Sequence, residues 1–373
     1  MMTARWILVA TLAVQGVPAH QPQRMDQMPE APVTAAPAEI IQKIFAPASG
    51  TAERPSVSIA WVAGNDKPQF AAFGSLNLRT NELPNPRTVY EIGSITKGLT
   101  GILLADMALA GEVSIHDTLD KFLPDAASYP EAVRAITLVQ LTTHSSGLPR
   151  LPGNLSFGMK DPSNPYAHYG VKELQAFLYG YTPPPGRTSI TPEYSNLGVG
   201  LLGYVLALKA GLSYEALLRA RVLDPLGMTD TTIVLSEDQT ARLAPGHAKG
   251  VVVSNWDVGA LAAAGGVRST AADMAKLLAA LMKPGDSRIG KAIQLAIEPR
   301  GDLGAAKIGF GWITTTTPNG GPAFIWHNGG TGGYRSFIGF TKDRKAGIVA
   351  LTNGGDQGPD ALAVSALAQL AAR

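Results

Sequence analysis

SITKGLTGILLADMALA, residues Ser94–Ala110, is the stretch from which the rest of the chain can be read. Ile95, Leu99, Ile102, Leu103, Leu104 and Met107 would stand on every side of one helix, and Gly111 is placed to end it. Such a helix must be wrapped by other elements, and 373 residues are enough to build a large core around it. Ser94 and Lys97 are three residues apart, so a hydroxyl and an amine share one helix face at its start. Serine is a poor nucleophile until a base takes its proton. A lysine in a water-poor site has a lowered pKa and can be that base. The helix N-terminus also turns backbone N–H groups towards developing negative charge. The same spacing fits an N-capping serine with a solvated lysine, but this helix has almost no polar face on which to solvate one.

Upstream, Ser56–Ala63 alternates and places Val57, Ile59 and Trp61 on one side of a strand. Gln69–Gly74 follows as a second strand across the Gly64-Asn65-Asp66 turn. Before them Ile40, Ile41, Ile44 and Phe45 mark a helix face that Pro47 stops. Downstream, Leu197–Ala210 reads as a second buried helix ended by Gly211, and a third starts at Ser269-Thr270, where Asp273 can complete a capping box. Phe324–His327, Phe337–Phe340 and Gly347–Thr352 are short strand-like runs, followed by a helix over Ala361–Ala372 with Leu362, Val364, Leu367 and Leu370 on its apolar side. The fold class predicted from this order is α/β of the α+β type. A five-stranded antiparallel sheet (about 38–93 and 305–373) is flanked by the terminal helices and carries a large helical sub-domain (about 94–304). The cleft between the two parts is the expected binding site.

The N-terminus reads as a signal peptide over residues 1–19: Arg5, the apolar run Trp6–Val17, then Val17-Pro18-Ala19 as a cleavage site. That run is short for a membrane span, so the expectation is a periplasmic or secreted protein with no stable span once the signal is removed. Residues 20–37 read as a disordered spacer and residues 38–373 as the functional domain. A net charge of +2 without basic runs gives no support to a nucleic-acid partner. The absence of cysteine excludes disulfides and thiolate chemistry. The six histidines lack metal-ligand spacing, so neither a metal nor a cofactor is expected.

Two further clusters carry possible chemistry. Tyr194-Ser195-Asn196 precedes the second buried helix; a phenol and an amide there can point into one cleft, or the tripeptide can simply cap the helix. His327-Asn328-Gly329-Gly330, followed by Thr331-Gly332-Gly333, can let a substrate lie against strand backbone, or can be a Gly-rich hairpin with a packed histidine. His144 lies in a Ser/Thr/Gly-rich turn and is read as structural. No Gly-x-Ser-x-Gly elbow surrounds Ser94.

Taken in order, these clusters resemble the serine β-lactamase and penicillin-binding protein superfamily, specifically the branch of class C β-lactamases, related D,D-peptidases and family VIII esterases. ITLVQLTTHSSGL (Ile136–Leu148), YSNLGVGLLG (Tyr194–Gly203), GGVRSTAADM (Gly265–Met274) and HNGGTGGYRSFIGF (His327–Phe340) all look like that family. The resemblance runs from about Val57 to Leu351. It implies a β-lactamase/transpeptidase-like fold, Ser94 as nucleophile, and Lys97 and Tyr194 as proton carriers. It also implies Asn196, His327, Asn328 and Gly329 as substrate contacts and an oxyanion hole from the N–H groups of Ser94 and Gly330. Class C β-lactamases usually carry Lys-Thr-Gly where this chain has His327-Asn328-Gly329. At that position His327 would face a substrate carboxylate and bind it best when protonated, near or below a pH of ~6.5. The function implied is a class C-like β-lactamase acting as a monomer on a small-molecule β-lactam. The alternatives are a D,D-carboxypeptidase/endopeptidase on cell-wall peptides, a family VIII-type esterase, or an inactive penicillin-binding homologue.

Overall fold

Alternation in five strands is what assembles the sheet. In β1 (Val57–Ala63) Ile59 and Trp61 face one way, and Ala60 and Val62 the other. A computed structural model describes residues 36–47, 55–64, 66–78, 82–183, 192–316 and 322–373 of the chain. The signal-peptide and spacer readings fall outside the described residues up to Ala35; Ala36 and Pro37, assigned to the spacer, are the N-cap and first residue of the N-terminal helix Pro37–Phe45.

The remaining strands are β2 (Gln69–Phe73), β3 (Val89–Glu91), β4 (His247–Ala248), β5 (Val251–Val252), β6 (Arg268–Thr270), β7 (Gly301–Leu303), β8 (Ala306–Ile308), β9 (Ile313–Thr316), β10 (Ala323–Gly330), β11 (Arg335–Thr341) and β12 (Ala346–Thr352). The main sheet is antiparallel with eight strands, in the order β2-β1-β12-β11-β10-β9-β8-β7. The five predicted strands are contiguous in it, β2-β1-β12-β11-β10, so the mixed fold class stands and the strand count is corrected from five to eight. The extra three are only three or four residues long, too short to display a period of two, and β7 turns into β8 at Gly304 with φ +62°.

Each face of the sheet has its own core. Ile59, Trp61, Phe73, Phe324, Phe337, Ile348 and Ala350 pack against the two terminal helices, Pro37–Phe45 and Asp360–Ala371. In the C-terminal helix the buried positions are Ala363, Ala366, Leu367 and Leu370, while Leu362 and Val364 are only half-buried. Small alanines there let the helix sit close to the sheet. The opposite residues, Ala60, Val62, Ile325, Ile338, Phe340, Val349 and Leu351, belong to a larger core shared with the helical part. Its axis is the helix Thr96–Leu109, buried from Thr96 to Asp106 without interruption, and it packs against the helix Arg288–Ile297. Gly101 permits this crowding: a Cβ there would lie 1.9 Å from the Phe310 carbonyl oxygen. The helix Asn196–Ala210 is buried on most sides and ends on Gly211 at φ +65°. Among the described residues no single helix is long and apolar enough to cross a membrane. The helix Ala271–Met282 is capped by Thr270, whose side chain accepts from Asp273 N–H; the Asp273 carboxylate binds Asp230 N–H, the Thr231 hydroxyl and Lys276.

Candidate active site

Ser94 is the middle residue of a short 3-10 turn, Gly93–Ile95, that runs into the helix Thr96–Leu109. Gly93 has φ +49°, and a Cβ on it would lie 2.5 Å from the Gly330 amide nitrogen at the end of β10. Only glycine adopts that backbone without strain and leaves room for the strand. One step earlier, the Ile92 carbonyl accepts from the Ser336 hydroxyl (2.7 Å) and crowds Gly329, whose Cβ would be 2.0 Å away. The nucleophile turn and the end of β10 are therefore clamped together. β9 pairs with β10 only over Ala323–Trp326, so His327–Gly330 has no β9 partner on that edge.

Lys97 is completely buried, with Nζ 2.9 Å from Ser94 Oγ and donating to the Ala264 carbonyl at 2.5 Å. Burial, helped by the nearby Arg150 cation, holds its pKa well below the usual lysine range. The Tyr194 phenol is hydrogen-bonded to Ser94, and its ring centroid is 4.9 Å from Lys97 Nζ. Burial pushes the phenol up to about 12, with the Ser94 bond and Arg150 opposing it. The site thus pairs a readily neutral amine with a protonated phenol on one serine hydroxyl.

Ser195 caps the next helix: its hydroxyl accepts from Gly198 N–H and donates to the Pro149 carbonyl. That fixes Tyr194 and Asn196 on either side of the cap. Asn196 lines the same pocket as Ser94; it hydrogen-bonds Tyr166 and leaves its Oδ1 buried without a partner. A buried amide oxygen in that state is poised for a substrate N–H. Tyr166, Trp256, Val258, Leu261, Ala264, Gly265, Gly330 and Thr331 complete the pocket, and the Tyr166 and Trp256 rings meet at 5.3 Å. Glu91 holds this wall in place by accepting from Trp256 N–H (2.9 Å) and Asn255 (3.0 Å), with Arg268 at 3.5 Å.

Two residues of the third cluster are not placed as the sequence suggested. His327 is 1% exposed and packs beside Tyr194, ring centroids 6.3 Å apart, with Nδ1 donating to the Asn328 carbonyl at 2.6 Å. Burial, aided by Lys97, pushes its pKa down to about 3, so the expected imidazolium is replaced by a neutral ring. Asn328 alternates to the other face of the sheet, where its amide donates to Asp360 Oδ1 at 2.5 Å, away from Ser94. His144 is buried on the opposite side of Tyr194, at 4.5 Å, and accepts from Ser195 N–H at 3.2 Å. Sequence reasoning missed Arg150, Tyr166 and Trp256. None falls in a short motif, and Arg150 stands out only as a charge directly after the HSSGLP string.

The chain as a whole is similar to known proteins. A family model described as Beta-lactamase matches residues 41–373. The Beta-lactamase of Escherichia coli (strain K12) is 27% identical over 350 residues, 84% of this chain and 88% of that protein. D-alanyl-D-alanine-carboxypeptidase/endopeptidase AmpH of the same organism is 28% identical over 310 residues, 78% of this chain and 77% of that protein. A crystal structure of a class C beta lactamase from Rhodobacter sphaeroides superposes with a TM-score of 0.75 at 22% identity, covering 90% of this chain and 98% of that one.

Proposed function

This chain belongs to the Beta-lactamase family, and we propose that it is an exported, monomeric, class C-like β-lactamase that opens the lactam amide through an acyl-enzyme on Ser94. It is a serine hydrolase, and the observation that carries the mechanism is the buried Lys97 amine 2.9 Å from the Ser94 hydroxyl. In this reading neutral Lys97 takes the hydroxyl proton as Ser94 Oγ attacks the carbonyl. The tetrahedral oxyanion is held by the N–H groups of Ser94 and Gly330. As the carbon–nitrogen bond breaks, the Tyr194 phenol protonates the departing nitrogen and is restored by the proton on Lys97. Water then attacks the ester and releases Ser94. The edge at His327–Gly330 that β9 leaves unpaired offers the acyl group a strand to lie against, and Asn196 Oδ1 an acceptor for its amide N–H. Export rests on the leader-like residues 1–19.

One observation favours a second reading, a D,D-carboxypeptidase/endopeptidase. The open edge of β10 suits a peptide backbone, and AmpH covers about as much of this chain as the β-lactamase does. The neutral His327 also suits an uncharged acyl ester. Turnover of a chromogenic cephalosporin, a D-Ala-D-Ala peptide and a p-nitrophenyl ester, with intact-mass analysis, separates these. The wild-type protein should gain the mass of a β-lactam and hydrolyse the cephalosporin fastest. Ser94→Ala should gain none and lose several orders of magnitude in rate. A stable adduct on Ser94→Ala would overturn the nucleophile, and faster turnover of peptide or ester would overturn the substrate.

A further inference from the structure

β-Lactams and peptides ending in D-Ala carry a carboxylate near the scissile amide, yet burial works against charge on two basic groups of the site. It holds the Lys97 amine well below the usual lysine range and pushes His327 down to about 3. Two arginines remain nearby. Arg335 is half-buried, and its Nη1 donates to the Thr331 and Tyr334 carbonyls at 2.8 and 3.0 Å. Asp356 and Asp360 also stand close enough to act on its charge. Arg150 differs on each count. Its side chain is exposed, its guanidinium lies 5.0 Å above the Tyr194 ring, and no carboxylate among the described residues pairs with it. Its backbone is fixed, because the Arg150 carbonyl accepts from Asn196 N–H (3.0 Å) and Leu197 N–H (3.2 Å). The phenol that meets Ser94 through its hydroxyl therefore presents its face to a guanidinium that has no carboxylate partner among the described residues.

We propose that Arg150 is the specificity-determining residue that receives the carboxylate of anionic substrates, in place of His327. The proposal rests on Ser94 being the nucleophile of the hydrolase described above. A guanidinium stays charged throughout the pH range in which the fold exists and can grip a carboxylate with two parallel N–H donors. Stacking on a phenol leaves those edge donors free. Among the described residues the groups on which the Arg150 charge acts include Lys97, His144, Tyr166 and Tyr194, none of them a carboxylate.

The test uses two probes that form a reversible adduct on a nucleophilic serine, phenylboronic acid and 3-carboxyphenylboronic acid, each inhibiting hydrolysis of p-nitrophenyl acetate. In the wild type the carboxylated probe should bind roughly tenfold tighter, about one charge-assisted hydrogen bond. The advantage should shrink as salt rises from about 50 to 500 mM. In Arg150→Met the ratio of the two inhibition constants should fall towards one, and Arg150→Lys should keep part of it. Because the readout is a ratio, a general loss of activity in a variant does not imitate the effect. A wild-type ratio of one, a ratio untouched by Arg150→Met, or a loss found in Arg335→Met instead would each overturn the proposal. If neither boronate inhibits the wild type, the Ser94 hydrolase reading fails and this one falls with it.

Discussion

At the scale of single residues, burial decides which groups carry charge. His327 and His144 are 1% and 2% exposed, and both are held below the ordinary histidine range, His327 at about 3. KM for an anionic substrate should therefore stay level between about pH 5.5 and 7.5, where a titrating imidazole would make it climb. kcat/KM should fall only as acid reaches the depressed Lys97 pKa, because the base must be neutral. It should not fall on the alkaline side while the fold lasts, because the Tyr194 phenol stays protonated up to about 12. The same shifts bear on stability. Both histidines bind a proton more readily unfolded than folded, so their contribution is fully present above about pH 6.5 and is lost as pH falls towards the folded values. The slope is up to about 1.4 kcal/mol per pH unit for each. Thermal melts from pH 7 to pH 4 check this, and a level Tm would contradict neutral rings. That Ser94 and Lys97 meet was legible in the sequence because three residues along a helix convert directly into a shared face, whereas Tyr194 and Asn196 stood out only through the family resemblance, their tripeptide reading equally well as a helix cap. The charge state of His327 was not legible, since it depends on what packs around it. Nor was Arg150, whose partner ring lies 44 positions away.

At the scale of elements, the site depends on how closely a turn and a strand approach. Gly93 keeps φ +49° with Gly330 N–H where its own Cβ would be. Gly93→Ala should push the end of β10 away from Ser94 and strain the turn, at a cost of about 1–3 kcal/mol. Displacement of the proposed oxyanion donors should cost more in rate than in stability, on the order of a hundredfold in kcat/KM. Kinetics and a melting curve on the same variant test it; a rate loss no larger than the stability loss implies would argue against close approach as the function of Gly93. The buried helices, β1, β2 and β10–β12 could be read from periodicity, because each is long enough to repeat its pattern. β7–β9 could not, having three or four residues each and a glycine turn between β7 and β8. In the C-terminal helix Leu367 and Leu370 are buried as expected, whereas Leu362 and Val364 are only half-buried and Ala363 and Ala366, inconspicuous by size, are buried beside them.

At the scale of the whole molecule, two cores share one sheet, and neither is complete without both ends of the chain. The helix Asp360–Ala371 packs on β11 and β12 and covers Phe337 and Ile348, residues whose burial is worth about 1.5–3 kcal/mol apiece. Deleting residues 360–373 should leave that face bare and give protein that aggregates, although no residue of the pocket is removed; a soluble, cooperatively melting product would show the second core to be dispensable. β12 lies between β1 and β11, and β1 pairs with it along its full length, Val57 with Thr352 through Ala63 with Ala346. The middle of the sheet is thus the last strand to be synthesised. At roughly 5–20 residues per second, β1 waits on the order of a quarter to one minute for its neighbour to leave the ribosome. Until then the nascent chain has an unfilled slot where its sheet should be continuous, and it stays open to a chaperone or a translocase until Ala346–Thr352 have been made.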